Sequence, residues 1–112
     1  MNHPTILQWN CRGFKVNFNE LSLLIQNHCP VALCLQETHS KETDKINLKN
    51  YVTYNCYAKT DRASGGSFIA INNRYFHSQI NLKRNLQAVA IPLSLHKTIT
   101  LFSVYIPPNY KL

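Results

Sequence analysis

Residues 30–39 read Pro-Val-Ala-Leu-Cys-Leu-Gln-Glu-Thr-His, and this stretch decides the fold. Val31 to Leu35 is an unbroken apolar run, the pattern of a strand buried on both faces. Gln36 and Glu37 then form a polar mouth. Upstream, residues 17–28 (NFNELSLLIQNH) have helical spacing, with Phe18, Leu21, Leu24, Ile25 and His28 on one stripe. Asn17 and Glu20 fit a capping box, and Pro30 is expected to stop the helix. Before the helix, Thr5 to Asn10 (TILQWN) reads as a strand that enters a turn at Cys11-Arg12-Gly13. Strand, helix and strand within about 30 residues make a βαβ unit, whose strands are expected to be parallel.

Downstream the pattern changes. Ser40 to Asn50 is polar and reads as a loop. Tyr51 to Ala58 alternates aromatic and β-branched residues and reads as a strand. Lys59 to Gly66 is a turn region that enters a strand at Ser67 to Ile71, and Asn72 to Asn85 is again polar. Leu86 to Leu93 and Thr98 to Ile106 close the set as two more strands. One helix cannot cover both faces of a sheet of about six strands. One face is therefore expected to await another layer that the chain does not carry.

The chain has 112 residues and a net charge of +7, with 45% hydrophobic residues. That apolar content excludes a disordered chain, and the length excludes two independent domains, which run to roughly 100–150 residues each. Charged residues are 15%, below the roughly 25% of ordinary soluble domains. The surplus of base over acid points to a polyanionic partner such as nucleic acid or a phosphoester. The four cysteines, Cys11, Cys29, Cys34 and Cys56, form no C-x-x-C pair, which removes support for a zinc knuckle. Cys29 and Cys34 read as small core residues. No secretory signal and no stretch of about 20 apolar residues is present, so an intracellular, reducing setting with no membrane is expected.

The acids narrow the chemistry. Glu20 is explained by the helix start, and Glu42, Asp44 and Asp61 lie in polar loops. Glu37 stands apart because it follows a buried strand, where open α/β sheets place ligand groups. Parallel pairing would bring Asn10, at the end of the first strand, to the same sheet edge. A carboxylate with an amide oxygen is a hard donor pair suited to Mg2+. Asn10 has an alternative role as a cap of the turn before Gly13. Ser64-Gly65-Gly66 lacks a following Lys and helix, so it reads as a turn and not as a phosphate loop.

Together these segments resemble a known family. Leu7-Gln8-Trp9-Asn10-Cys11-Arg12-Gly13 and Leu33-Cys34-Leu35-Gln36-Glu37-Thr38-His39 resemble the first two motifs of the endonuclease/exonuclease/phosphatase superfamily. Ala63 to Ile71 resembles its glycine turn and sheet strand. Ser103-Val104-Tyr105-Ile106-Pro107-Pro108-Asn109 resembles its later strand, with a Tyr and a Pro-Asn turn. The wording is most similar to the apurinic-endonuclease-like domain of non-LTR, LINE-type retrotransposons. All four motifs keep their order across nearly the whole chain.

The resemblance implies an α/β fold, one βαβ-plus-antiparallel sheet layer of a four-layered αββα sandwich. It implies that Glu37 and Asn10 form the metal site for Mg2+, with Mn2+ as the alternative ion. Tyr105 would face the scissile phosphate, and Gln36 and Trp9 would support the metal site. Apart from the resemblance, Arg12, Lys41, Lys59 and Arg62 lie in loops near the motif edge and are expected to track a DNA backbone. The family's remaining motifs, which carry its water-activating Asp and phosphate-binding His, come after the position of Leu112. His3, His28, His39, His77 and His96 do not fill that closing role, and His77 reads as a solvated loop residue.

Residues 1–112 are thus expected to be the N-terminal part of such a domain, inactive alone. The C-terminal half and a reverse transcriptase further downstream are the expected partners, with DNA as substrate and a nuclear location. Two other readings remain open: a phosphoinositide or nucleotide phosphatase of the same superfamily, and a basic nucleic-acid-binding remnant without catalysis.

Overall fold

Two sheets and one helix form three layers in the computed structural model, which describes residues 4–39, 47–56, 65–80 and 87–105, with Gln87 and Tyr105 described by their backbone alone. The chain runs through β1 (Ile6–Asn10), α1 (Phe18–His28), β2 (Ala32–Gln36), β3 (Tyr51–Cys56), β4 (Ser67–Asn72), β5 (Gln87–Ser94) and β6 (Thr98–Tyr105). The first sheet has the order β1-β2-β4-β3. β1 and β2 are parallel, with Asn10 opposite Gln36, so the βαβ unit forms as its apolar pattern requires. β4 runs antiparallel to both β2 and β3.

The central strands β2 and β4 are buried on both faces. Leu33, Leu35, Phe68 and Ala70 face one cluster with Phe14 and with Leu21 of α1. Ala32, Cys34, Ile69 and Ile71 face the other, with Val89, Ile91 and Leu93 of β5. Period-two alternation in β2 and β4 thus feeds two cores from two strands.

The expectation of one six-stranded sheet is corrected here. β5 and β6 pair only with each other as named strands and form a second sheet over the first. The reason lies in their pattern. Each packs one apolar stripe, Val89-Ile91-Leu93 and Ile99-Leu101, against the first sheet, while the opposite face of β6 leaves Thr100, Phe102 and Val104 exposed. Strands packed on one face only serve as a cover and not as the middle of a doubly buried sheet. The inner face of the first sheet is therefore covered within this chain. On the outside of the second sheet, apolar side chains remain uncovered among the described residues: Phe102 is 61% and Val104 42% exposed. Among the described residues, β6 has no neighbour on its far edge.

Local details also differ from the sequence reading. Asn17 sits at the N-cap of α1 but makes no side-chain cap bond. Its Nδ2 donates instead to the carbonyls of Cys11 at 2.6 Å and Gly13 at 3.2 Å. Of the proposed helix stripe, Leu21 alone is buried, and His28 is exposed. The helix ends at Cys29, which is left-handed with φ 43° and donates its N–H to Ile25. That position makes Cys29 exposed and not a core residue, whereas Cys34 is buried as expected. His77 is also no solvated loop residue. Its Nε2 lies 2.8 Å from the Tyr54 hydroxyl and its Nδ1 3.0 Å from the Tyr75 carbonyl. Residues 77 and 80 bridge to Leu93 and Ala90, which fastens this segment beside β5.

Candidate functional site

The parallel pairing of β1 and β2 brings Asn10 and Glu37 out at one edge of the first sheet. Beyond the strands, three loops continue the hydrogen-bond lattice. Cys11 donates its N–H to Gln36 at 3.0 Å, Gly13 to Glu37 at 2.8 Å and Phe14 to Thr38 at 2.8 Å. From the other side, Glu37 donates to Gly66 at 2.9 Å and His39 to Gly65 at 2.9 Å. The segments after β1, after β2 and before β4 are thereby joined into one rim, with Glu37 in the middle.

The rim holds unusual backbone. Arg12 (φ 49°), Glu37 (φ 52°) and His39 (φ 54°) are left-handed without being glycine. Such residues cost of order 1–3 kcal/mol each and cluster at functional sites. Gly66 is needed where it stands. Its φ is 94°, and a Cβ there would lie 2.7 Å from Thr38 Oγ1.

Glu37 is partly exposed, and the Arg12 guanidinium reaches it, with Nε 3.7 Å from Oε2. Behind it lies the Cys11 thiol, 3.6 Å from the Gln36 carbonyl. Burial pushes that thiol above its ordinary range, and the charge of Glu37 adds to the shift. Asn10 is exposed at the end of β1. Trp9, pointing to the opposite face, packs on the helix-side core and so anchors the strand end that carries Asn10.

Gln36 bridges the two sheets. Its Oε1 accepts a hydrogen bond from Gln8 Nε2, and its Nε2 donates to Ser103 Oγ on β6 at 2.8 Å. Ser103 in turn donates to the Leu35 carbonyl at 2.8 Å. Ser103 is 1% exposed, and its buried hydroxyl is satisfied on both sides. Sequence reasoning missed it. Its only signal was one polar residue on the otherwise apolar inward stripe of β6. The backbone of Tyr105 lies two residues beyond this contact, at the end of β6.

The structure therefore brings together Asn10, Arg12, Gln36 and Glu37. The other expected DNA contacts, Lys41, Lys59 and Arg62, lie outside the described residues. Among the described residues no group of three or more His, Cys, Asp or Glu is gathered as a ready-made metal cage. One partly exposed carboxylate on the sheet edge that also carries the exposed Asn10 amide offers oxygen donors, which suit a cation that keeps much of its water, as Mg2+ does, and do not suit Zn2+.

Comparison with known proteins places the fold. No family model matches the chain. Two RNA-directed DNA polymerases from mobile element jockey match it, from Drosophila melanogaster and Drosophila funebris. Each is 29% identical over 114 residues, covering 96% and 97% of this chain but 12% of each polymerase. Among solved structures, the endonuclease domain of TRAS1, a telomere-specific non-LTR retrotransposon, superposes with a TM-score of 0.76 and 21% identity. That match covers 97% of this chain and 49% of the TRAS1 chain. The AP endonuclease LMAP from Leishmania major follows at 0.71 and 17% identity, covering 93% of this chain and 40% of that one. The 3′ phosphatase NExo from Neisseria, bound to product DNA hairpin, gives 0.66 and 15% identity, covering 92% and 41%. The resemblance read from the motifs is borne out at the level of the fold: the chain has the α/β sandwich architecture of these endonucleases and spans about half of it. No helix among the described residues is long and apolar enough to cross a membrane.

Proposed function

We propose that this chain supplies the N-terminal part of a Mg2+-dependent phosphodiesterase that nicks DNA for a retrotransposon and works in the nucleus. The observation that carries the reading is the rim itself. Backbone bonds from three loops hold Glu37, beside Arg12 and on the edge that carries Asn10, in a fold shared with the TRAS1 endonuclease domain. Glu37 and Asn10 would hold the cation, with Mn2+ as a substitute, and Gln36 and Trp9 keep their strand ends in place. Bound there, the ion would polarise a phosphoryl oxygen and offset the charge that develops as water attacks. Tyr105 would donate a hydrogen bond near the leaving oxygen. The edge of β6 that has no neighbour among the described residues, and the outer face that exposes Phe102 and Val104, would receive the rest of the domain, without which the 112 residues would not cleave. A reverse transcriptase further along the same polypeptide fits the jockey likeness.

A chimera tests the proposal: this chain replaces the matching half of the TRAS1 endonuclease domain. The folded chimera should nick supercoiled plasmid with Mg2+ and lose about 100-fold or more of that activity on Glu37→Ala. A folded chimera whose nicking ignores Glu37 would sink the reading. Unchanged DNA binding without any cleavage would favour a nucleic-acid-binding remnant. The NExo likeness supports a second arm with a 3′-phosphorylated oligonucleotide, since preferential release of that phosphate would make the protein a phosphatase.

A further inference from the structure

We propose that Arg12 is an exchange residue: it neutralises Glu37 while no metal is bound, then releases the carboxylate to the cation and turns to a substrate phosphate. This rests on the metal-site reading of Glu37 above. Three observations support it. The Arg12 Nε lies 3.7 Å from Glu37 Oε2, within ion-pair range of a carboxylate oxygen. The pair is asymmetric, with the Arg12 side chain 83% exposed and Glu37 21% exposed, so the cation is open to solvent and the carboxylate is largely enclosed. The Arg12 backbone is fixed in a left-handed turn, clamped by the Cys11 bond to Gln36 on one side and the Gly13 bond to Glu37 on the other. Asn17 Nδ2 closes the same turn from below, through the carbonyls of Cys11 and Gly13.

A plain structural ion pair would not need such placement. An exposed pair of this kind adds little to stability, and the strained φ of Arg12 works against it. The turn instead fixes where a long, mobile cation is rooted. From that root the guanidinium reaches Glu37 while most of the side chain stays exposed to solvent. Its fork geometry is matched to carboxylate and to phosphate alike, so one side chain can serve both partners in turn.

The two roles have opposite signs, and that makes the proposal testable on the 112-residue chain. Calorimetric titration with MgCl2 and MnCl2 reads the first role. Arg12→Ala should tighten metal binding by about 2- to 5-fold, because a competing charge leaves the carboxylate. Titration with a short DNA duplex over a range of salt reads the second. The same variant should bind DNA more weakly and lower the salt slope by about one phosphate contact. Arg12→Lys should restore the charge effect on metal and only part of the DNA contact. Metal affinity that depends on Glu37 but ignores Arg12→Ala would overturn the exchange role. Metal affinity that ignores Glu37→Gln as well would overturn the metal-site reading beneath it. A variant that weakens both ligands would show Arg12 to be a general support of the rim and not an exchanger.

Discussion

The two sheets of this molecule are unequally finished. The first has a helix on one face and a second sheet on the other, and its central residues Leu33, Leu35, Phe68, Ile69 and Ile71 are all fully buried. The second has one covered face, while its outer face presents Phe102 and Val104 to solvent and β6 has a free edge among the described residues. The contrast teaches where stability and dependence each reside. The first sheet needs nothing more to be packed. The second sheet is packed only by virtue of the first.

Substitutions at matched depth sharpen this contrast. Phe68→Ala, in the doubly covered strand β4, should cost about 3–5 kcal/mol in denaturant unfolding. A loss below about 1 kcal/mol would mean that the first sheet is not the foundation described here. Ser103→Ala on the inward face of β6 should cost about 1–3 kcal/mol, since it removes the acceptor of the Gln36 amide and the buried bond to the Leu35 carbonyl. Thr100→Ala, on the exposed side of the same strand, should stay within about 0.5 kcal/mol. Equal costs at the two positions would dissolve the inter-sheet strut.

Alkaline titration reads the same boundary. Burial between the sheets pushes the Cys34 thiol from 9.0 to about 11. In the unfolded chain the thiol ionises near 9.0, while the folded chain keeps its proton until about 11. Stability from this group is therefore whole below pH 9 and is lost as pH rises toward 11. Cys34→Ala should flatten that alkaline decline, measured by thermal unfolding at stepped pH. At pH 8 a maleimide should label exposed Cys29 well before buried Cys34. The smallest effect is expected at Phe102→Ser, within about 0.5 kcal/mol of the parent in stability but with reduced self-association in light scattering. A large loss of stability there would show the outer face to be already covered.

The legible part of this fold was whatever local pattern decides. The run Val31 to Leu35 announced a doubly buried strand, and the helical spacing before it completed a parallel unit. From that unit the shared edge of Asn10 and Glu37 followed directly. The partition of strands between two sheets was not legible. In the sequence β5 and β6 carry apolar stripes, Val89-Ile91-Leu93 and Ile99-Leu101, but nothing there says which surface those stripes will meet. Ser103 hid for the same reason, since a serine between apolar neighbours gives no sign of a carbonyl waiting on another sheet. The ion pair of Arg12, which the sequence offered only as a DNA-backbone contact, was not legible because it depends on a turn that Asn17, six residues further along from Cys11, holds shut. The supposed cap was in fact the lock of that turn.

The rim has one more consequence. Its frame is written mostly in main-chain amides and carbonyls from three separate loops, with side-chain identity demanded at Asn17 and Gly66 but not at Arg12 or His39. A library that randomises Arg12 and His39, with Asn, Asp and Gly favoured by the left-handed backbone, would keep the architecture while resampling the chemistry displayed around Glu37. The rim is thus an evolvable platform, on which new specificity can be tried without rebuilding the scaffold that carries it.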